Sequence, residues 1–199
     1  MFNSRFDSWT RGVSFDIQGS ALTADGFLCG SGLGGRVLVS RQMNPLNFAG
    51  LPFDARFFMR MQWLTAGTGG GQTDGYMTAL EHGEVYGVPQ SYGGVRRHAG
   101  QSVAGSIYAR VAQGPVPLRV VMWQSFGYGP EASPMVLIPG DIAQVGTSWM
   151  QIGHIFALPN MNGKVIGSGG QDYLGFGVDI PSGYAPTLDL AYAEIELVG

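Results

Sequence analysis

The chain carries fourteen Asp and Glu residues, three His and one Cys, and their spacing decides which chemistry is open to it. A glycosidase needs two carboxyl groups about 5–9 Å apart across a cleft. Asp172, Asp179 and Asp189 qualify only by type, and each lies near an expected strand end, where turn capping accounts for it. None of His82, His98 and His154 falls in a metal-ligand spacing such as H-E-x-x-H. His154 lies on the apolar side of its segment and reads as a core histidine. Glu81-His82-x-Glu84 has no further ligand nearby in sequence. Cys29 rules out an intrachain disulfide and lacks the Cys and His partners of a zinc site. Ser14, Ser40 and Ser106 stand in no G-x-S-x-G context. The tract Gly67 to Gly71 is followed by neither the Lys nor the helix of a phosphate loop. The residues therefore offer no catalytic group, no metal ligands and no cofactor motif, and a protein without enzymatic activity is expected.

Aromatic contact chemistry remains. Sugar-binding surfaces stack pyranose rings on exposed Trp or Tyr beside hydrogen-bonding Asn, Gln, Asp or Arg. Burying a Trp removes about 150–250 Å² from water, so Trp9, Trp63 and Trp149 read as core. Trp123 differs, because it shares a face with Arg119, Val121 and Ser125, opposite the apolar Leu118, Val120 and Met122. It is either exposed or set in a subunit contact. The glycine-rich stretch 76–97 holds Tyr76, Tyr86, Tyr92, Arg96 and Arg97, and Tyr-, Gly- and Arg-rich loops suit binding because Tyr adds contact area at low entropic cost. The alternative is a loop packed on its own domain. Tyr128, in a glycine-flanked turn, completes the set of candidate contact residues.

These residues need a scaffold, and the composition indicates which kind. A chain of 199 residues with 45% hydrophobic content fits one domain, 1–199. Charged residues make up 13%, about half the usual share, which fits either a surface covered by neighbouring protein or an ordinary neutral β-protein. A net charge of −3, with Arg96-Arg97-His98 as the one basic run, argues against nucleic acid as a partner. No apolar run approaches the ~18–20 residues of a membrane helix, and Met1-Phe2-Asn3-Ser4-Arg5 leads into no secretory apolar region. Folding in a reducing cytosol, or release by lysis, is expected.

Thirty-three glycines and eleven prolines lie among short apolar runs as turn and bulge punctuation. Alternation places Phe57, Met59, Met61 and Trp63 on one face, with Arg60 and Gln62 on the other. Further strands are expected at 36–41, 100–111, 118–126, 149–158, 173–180 and 188–197. In the last of these, Ala191, Ala193, Ile195 and Leu197 face the core. Only 75–85 could hold a short helix, and Gly83 weakens it. Eight or nine strands without a longer repeat specify an all-β, two-sheet antiparallel sandwich or barrel.

Several stretches, read in order, resemble one family. Phe6-Asp7-Ser8-Trp9-Thr10-Arg11-Gly12-Val13-Ser14-Phe15 is similar to an F-x-x-W-x-R-G-x-S-F opening, and Leu22 to Phe27 to a Y-T-A-D-R-W element in which Gly26-Phe27 replaces Arg-Trp. Val39-Ser40-Arg41-Gln42, Ala99 to Arg110 (A-G-Q-S-V-x-x-S-x-x-A-R), Gln124 to Gly129 (Q-x-F-G-x-G) and Leu188 to Glu196 follow in the same order. Together they resemble the jelly-roll, carbohydrate-binding-module-like domains of bacteriophage tail fibres, tailspikes and related virion proteins. That resemblance implies a jelly-roll-like sandwich, a homo-oligomer (a trimer), other virion proteins such as a major capsid protein as partners, and synthesis in the host cytoplasm before assembly into the virion. Because the domain begins at Met1 without a shaft, a capsid decoration or cement subunit is the expected role. A tail-associated receptor- or glycan-binding module is the alternative, with host surface glycan as its partner.

Overall fold

The computed structural model describes residues 5–32, 34–44, 51, 55–67, 75–82, 84–85, 88–89, 94–96, 98–169, 172–181 and 183–198; within 75–89 it describes the backbone alone. The first sheet has six strands in the order β1 (Ser14–Ile17), β4 (Arg36–Met43), β5 (Phe57–Thr65), β14 (Thr187–Leu197), β9 (Ser102–Val111) and β12 (Met150–Ala157). The second runs β11 (Val136–Val145), β10 (Val116–Ser125), β13 (Tyr173–Ile180), β6 (Gly75–His82), β3 (Phe27–Ser31) and β2 (Ser20–Leu22). Every pairing is antiparallel, and a two-stranded ribbon joins β7 (Glu84–Val85) to β8 (Val88–Pro89). From β9 onward the chain passes repeatedly between the sheets, the jelly-roll route of a sandwich.

Alternating side chains build the core. On β9, Val103, Gly105, Ile107, Ala109 and Val111 point inward, while the residues between them are half-buried. Over them Phe176 of the second sheet meets Phe156 of the neighbouring β12 edge to face, at 6.3 Å between centroids. Gly105 is required there, because a Cβ would stand 2.7 Å from Cδ2 of the buried Phe176 ring. The N-terminal segment is pinned to this core: Phe6, at φ 55°, lies 4.5 Å from the Phe27 ring, and its carbonyl accepts the Trp9 Nε1–H at 2.6 Å. Asp25 accepts hydrogen bonds from Ser8 Oγ and from both the N–H and the hydroxyl of Thr10, which hold its carboxyl below its ordinary pKa.

Cys29 is enclosed by the same core, with Thr23 Oγ1 at 3.2 Å and Met59 Sδ at 3.7 Å. Burial pushes its thiol up to about 12, so almost no thiolate forms at pH 8. An aromatic disulfide reagent is expected to leave the folded chain unlabelled and to label one thiol promptly in denaturant. Rapid labelling of the native protein would contradict the burial.

Three expectations are corrected. The segment 75–82 is strand β6, because it pairs with β13 on one side and β3 on the other; two ladders outweigh its weak helical pattern. Val136–Val145, absent from the expected strands because Pro139-Gly140 interrupts its pattern, is strand β11 at the edge of the second sheet, where proline is tolerated. Gly140 also lets the edges of the two sheets approach, since a Cβ there would lie 2.9 Å from both His154 Cβ and the Val120 carbonyl. The third correction concerns β14. Its inward residues are Leu188 and Leu190, followed by Ala193, and a register shift between Ala191 and Glu194, with Tyr192 at φ 50°, puts Ala191 on the outer face. Among the described residues the strands number fourteen, against the eight or nine expected, the additions being mostly short.

Candidate functional site

The outer face of the first sheet carries polar rows that cross its strands. Register sets Ser14 opposite Ser40, Ser40 opposite Arg60, Arg60 opposite Asp189 and Asp189 opposite Arg110. A second row takes Gln42 to Phe58, and Ala191 to Tyr108 and Gln151. Because the pleat has period two, the six strands of the sheet present these residues side by side, five to each row.

Asp189 is the hub. Arg60 grips it in bidentate fashion, Nε to Oδ1 at 2.7 Å and Nη2 to Oδ2 at 2.9 Å. Arg110 donates from the other side, with Nε at 3.0 Å and Nη2 at 2.9 Å from Oδ2. Side-chain exposure is 6% for Asp189, 19% for Arg110 and 33% for Arg60, so the guanidiniums form the surface and the carboxylate lies beneath. Asp189 is thus a mid-strand ion-pair hub rather than a turn cap. Asp179 is likewise buried within β13 and paired with Arg119 Nε at 2.6 Å; desolvation raises its carboxyl pKa, while Arg119 opposes that shift. Asp172, just before β13, accepts the Val95 N–H of the 3-10 turn Gly94–Arg96 at 3.2 Å, a long-range tie rather than a cap of its own turn.

Below the guanidiniums lies a small aromatic cluster separate from the main core. Phe58 and Trp149 meet edge to face at 5.7 Å, with Ala191, Leu51 and Tyr108 around them. Arg110 stands 4.7 Å from the Trp149 ring centroid and 5.6 Å from that of Phe58, and Arg60 also lies 5.6 Å from Phe58. These are cation–π distances. Trp149 is therefore buried, as expected, but in this outer cluster rather than between the sheets. Beside it, Gln151 Nε2 donates to Ser106 Oγ at 3.0 Å, and Gln42 Nε2 donates to Ser40 Oγ at 2.9 Å. Further along β14, Glu194 and Glu196 share this face; desolvation first, then the charge and hydrogen bond of Glu196, raise the Glu194 pKa.

Of the contact residues expected from sequence, Arg96, Trp123 and Tyr128 lie away from this face. Tyr86, Tyr92 and Arg97 lie outside the described residues. Tyr76 is described only in its backbone, which pairs with Asp179 and Gly30 in the second sheet. Arg96 is exposed on a single 3-10 turn, Gly94–Arg96. Trp123 is half-buried on the second sheet, between Gly175 and Leu137 in register. Tyr128 is 69% exposed on the loop after β10. His154, on the apolar side of β12, sits at the rim, its Nδ1 3.2 Å from Asp141 Oδ2. Among the described residues no three His, Cys, Asp or Glu side chains converge on a metal position.

Two signals for the missed face were present in the sequence. Trp149 has the opposite parity to Ile152, His154 and Phe156 only if its segment is counted as a strand throughout. The apolar spacing Leu188, Leu190, Ala193, Ile195 breaks period two by one residue, the mark of a bulge.

No protein-family model matches the sequence, and no curated protein matches it. Solved structures share the fold. A xylan-binding CBM22-1 domain of Paenibacillus barcinonensis Xyn10C superimposes with a TM-score of 0.51 at 13% identity, covering 100% of this chain and 93% of that one. The CBM22-1 and GH10 modules of Clostridium thermocellum endo-1,4-β-D-xylanase 10B, complexed with xylohexaose, give 0.53 at 10% identity; 87% of this chain matches, spanning 26% of that one. A xylan-binding domain from CBM 22 gives 0.50 at 10% identity, over 96% of this chain and 97% of that domain. The chain has the jelly-roll sandwich fold of carbohydrate-binding modules.

Proposed function

We propose that this chain is a non-enzymatic glycan-binding module and that the outer face of its first sheet, centred on Arg60, Asp189, Arg110, Tyr108 and Gln151, is the binding surface. The observation that carries this reading is the fixed polar row over an aromatic base, laid across one sheet of a fold shared with xylan-binding domains. Saccharides present hydroxyl groups along a flat ring edge, and a pleated face with side chains held by cross-strand bonds matches that spacing without paying much ordering entropy. The ordered sequence resemblances support placing the module in a bacteriophage virion, on the tail and in oligomeric form. The likeness to binding domains lends nothing to the capsid-decoration role, and tail-associated glycan recognition takes its place.

The test is a glycan array followed by affinity electrophoresis with the full chain. Gln151→Ala and Tyr108→Ala are each expected to weaken binding about tenfold, the worth of one well-placed polar contact, with little change in thermal stability for Gln151→Ala. No retention by any glycan, or new reducing ends released from one, would overturn the reading.

A further inference from the structure

We infer that this chain pairs with a second copy of itself about a two-fold axis, and that the Arg41–Phe57–Arg56 cluster of each subunit receives the Glu194–Glu196 end of β14 from the other. Such a contact gives the oligomeric form proposed above its surface and does not depend on glycan binding. One half of it is a pair of guanidiniums without counter-charge. Arg36, Arg60 and Arg119 are matched by Asp16, Asp189 and Asp179. Arg41 and Arg56 meet no carboxylate among the described residues; they lie against the Phe57 ring instead, 4.6 and 5.3 Å from its centroid. Arg5 is held in the same way, 5.9 Å from the Tyr192 ring. A guanidinium stacked on a ring keeps its in-plane N–H donors for an incoming carboxylate. Met43, opposite Phe57 in register, is exposed beside them, and Arg, Met and aromatic side chains are the types enriched where proteins meet.

The other half is acidic. Glu194 and Glu196 stand together on β14, and the groups that raise the Glu194 pKa are its desolvation and Glu196, with no arginine among them to oppose the shift. Exposed Leu197 and Val198 follow, so this end offers paired carboxylates beside apolar side chains, the complement of the arginine cluster. Position joins the two halves. β5 and β14 are antiparallel neighbours, so Phe57 at the start of β5 and Glu196 near the end of β14 lie at one end of the first sheet. Their ladder stops at the pair Met59–Leu190, and beyond it the cations and carboxylates of one chain form no ion pair among the described residues. A two-fold axis beside that end sets the basic cluster of each copy against the acidic end of the other, twice over, as an isologous contact requires. Complementary charge of this kind fixes register and excludes other pairings.

The experiment is sedimentation velocity of the full chain over a concentration series, at low and at high salt. We expect the mass of two chains at low salt, and a dimer constant weakened at least about tenfold at high salt as the charges are screened. The double variants Arg41→Glu/Arg56→Glu and Glu194→Lys/Glu196→Lys are each expected to sediment as monomers, since each sets like charge against like. Mixed together they are expected to form a heterodimer, because every contact between them is again of opposite sign. Glu194→Gln/Glu196→Gln, which also relieves the repulsion between the two carboxylates, is the milder variant should a charge reversal fail to fold, and it is expected to weaken dimerisation about tenfold or more. A monomer at every concentration and salt, or an oligomer that neither salt nor these charges affect, overturns the pairing. Either result leaves the glycan reading standing, because the array tests that reading separately.

Discussion

Replacing Phe176 with Ala is expected to cost about 3–5 kcal/mol of folding stability, the range for deleting a fully buried ring. For a domain of this size that lowers the melting temperature by roughly 6–20 °C, at about 2–4 °C per kcal/mol. Phe176 has no exposed surface and lies between Phe156 and the open backbone of Gly105. Gly105 has no side chain to collapse into the space, and its strand is held between β14 and β12, so the cavity persists. The reverse change tests the same fit. Gly105→Ala drives a methyl into the ring and is expected to cost about 1–3 kcal/mol. Combined with Phe176→Leu, the methyl enters space the ring has left, and the double variant should be more stable than the sum of the single losses implies. Urea denaturation of the four proteins checks this; strict additivity would show that the two residues do not share one packing site.

Asp189→Ala is the second large effect. It leaves two guanidiniums side by side over the Phe58 and Trp149 rings without the carboxylate that joins them. Removing one partner from a buried ionic cluster costs about 3–5 kcal/mol, and the partial exposure of Arg60 holds this case near the lower end. Glycan affinity is expected to disappear with it, because both arginines lose the contact that orients them. Asp189→Asn keeps the shape and one acceptor and should recover part of the stability. Chemical denaturation together with affinity electrophoresis reads both effects. A stability within about 0.5 kcal/mol of the parent, the range of an ordinary surface change, would mean that Asp189 is no hub.

These two sites differ in how far they could be read from residues alone. The all-β class, most of the long strands and the inward side of β5 follow from alternation, since a strand buried on one side must place apolar residues at every second position. The same rule set Arg60 and Gln62 outward. It failed at β14, where Tyr192 adds one residue and reverses the parity of everything before it relative to everything after. Counting by twos therefore puts Ala191 on the core face, and nothing in the local sequence marks Asp189 as more than a turn cap. It failed again at β6 and β11, where a weak helical pattern and a Pro-Gly pair hid strands stabilised by their neighbours.

The candidate contact residues of the sequence are aromatics and arginines of a glycine-rich stretch and of single turn or strand positions. The outer face of the first sheet rests on an aromatic pair, Phe58 and Trp149, buried beneath Arg60 of β5 and Arg110 of β9. Local sequence determines which residues of a strand share a side, because backbone geometry alone imposes that alternation. It cannot show that Arg60, Asp189 and Arg110, from strands separated by as many as 129 positions, stand in one row. That depends on strand order and register, which the packing of the whole sandwich decides.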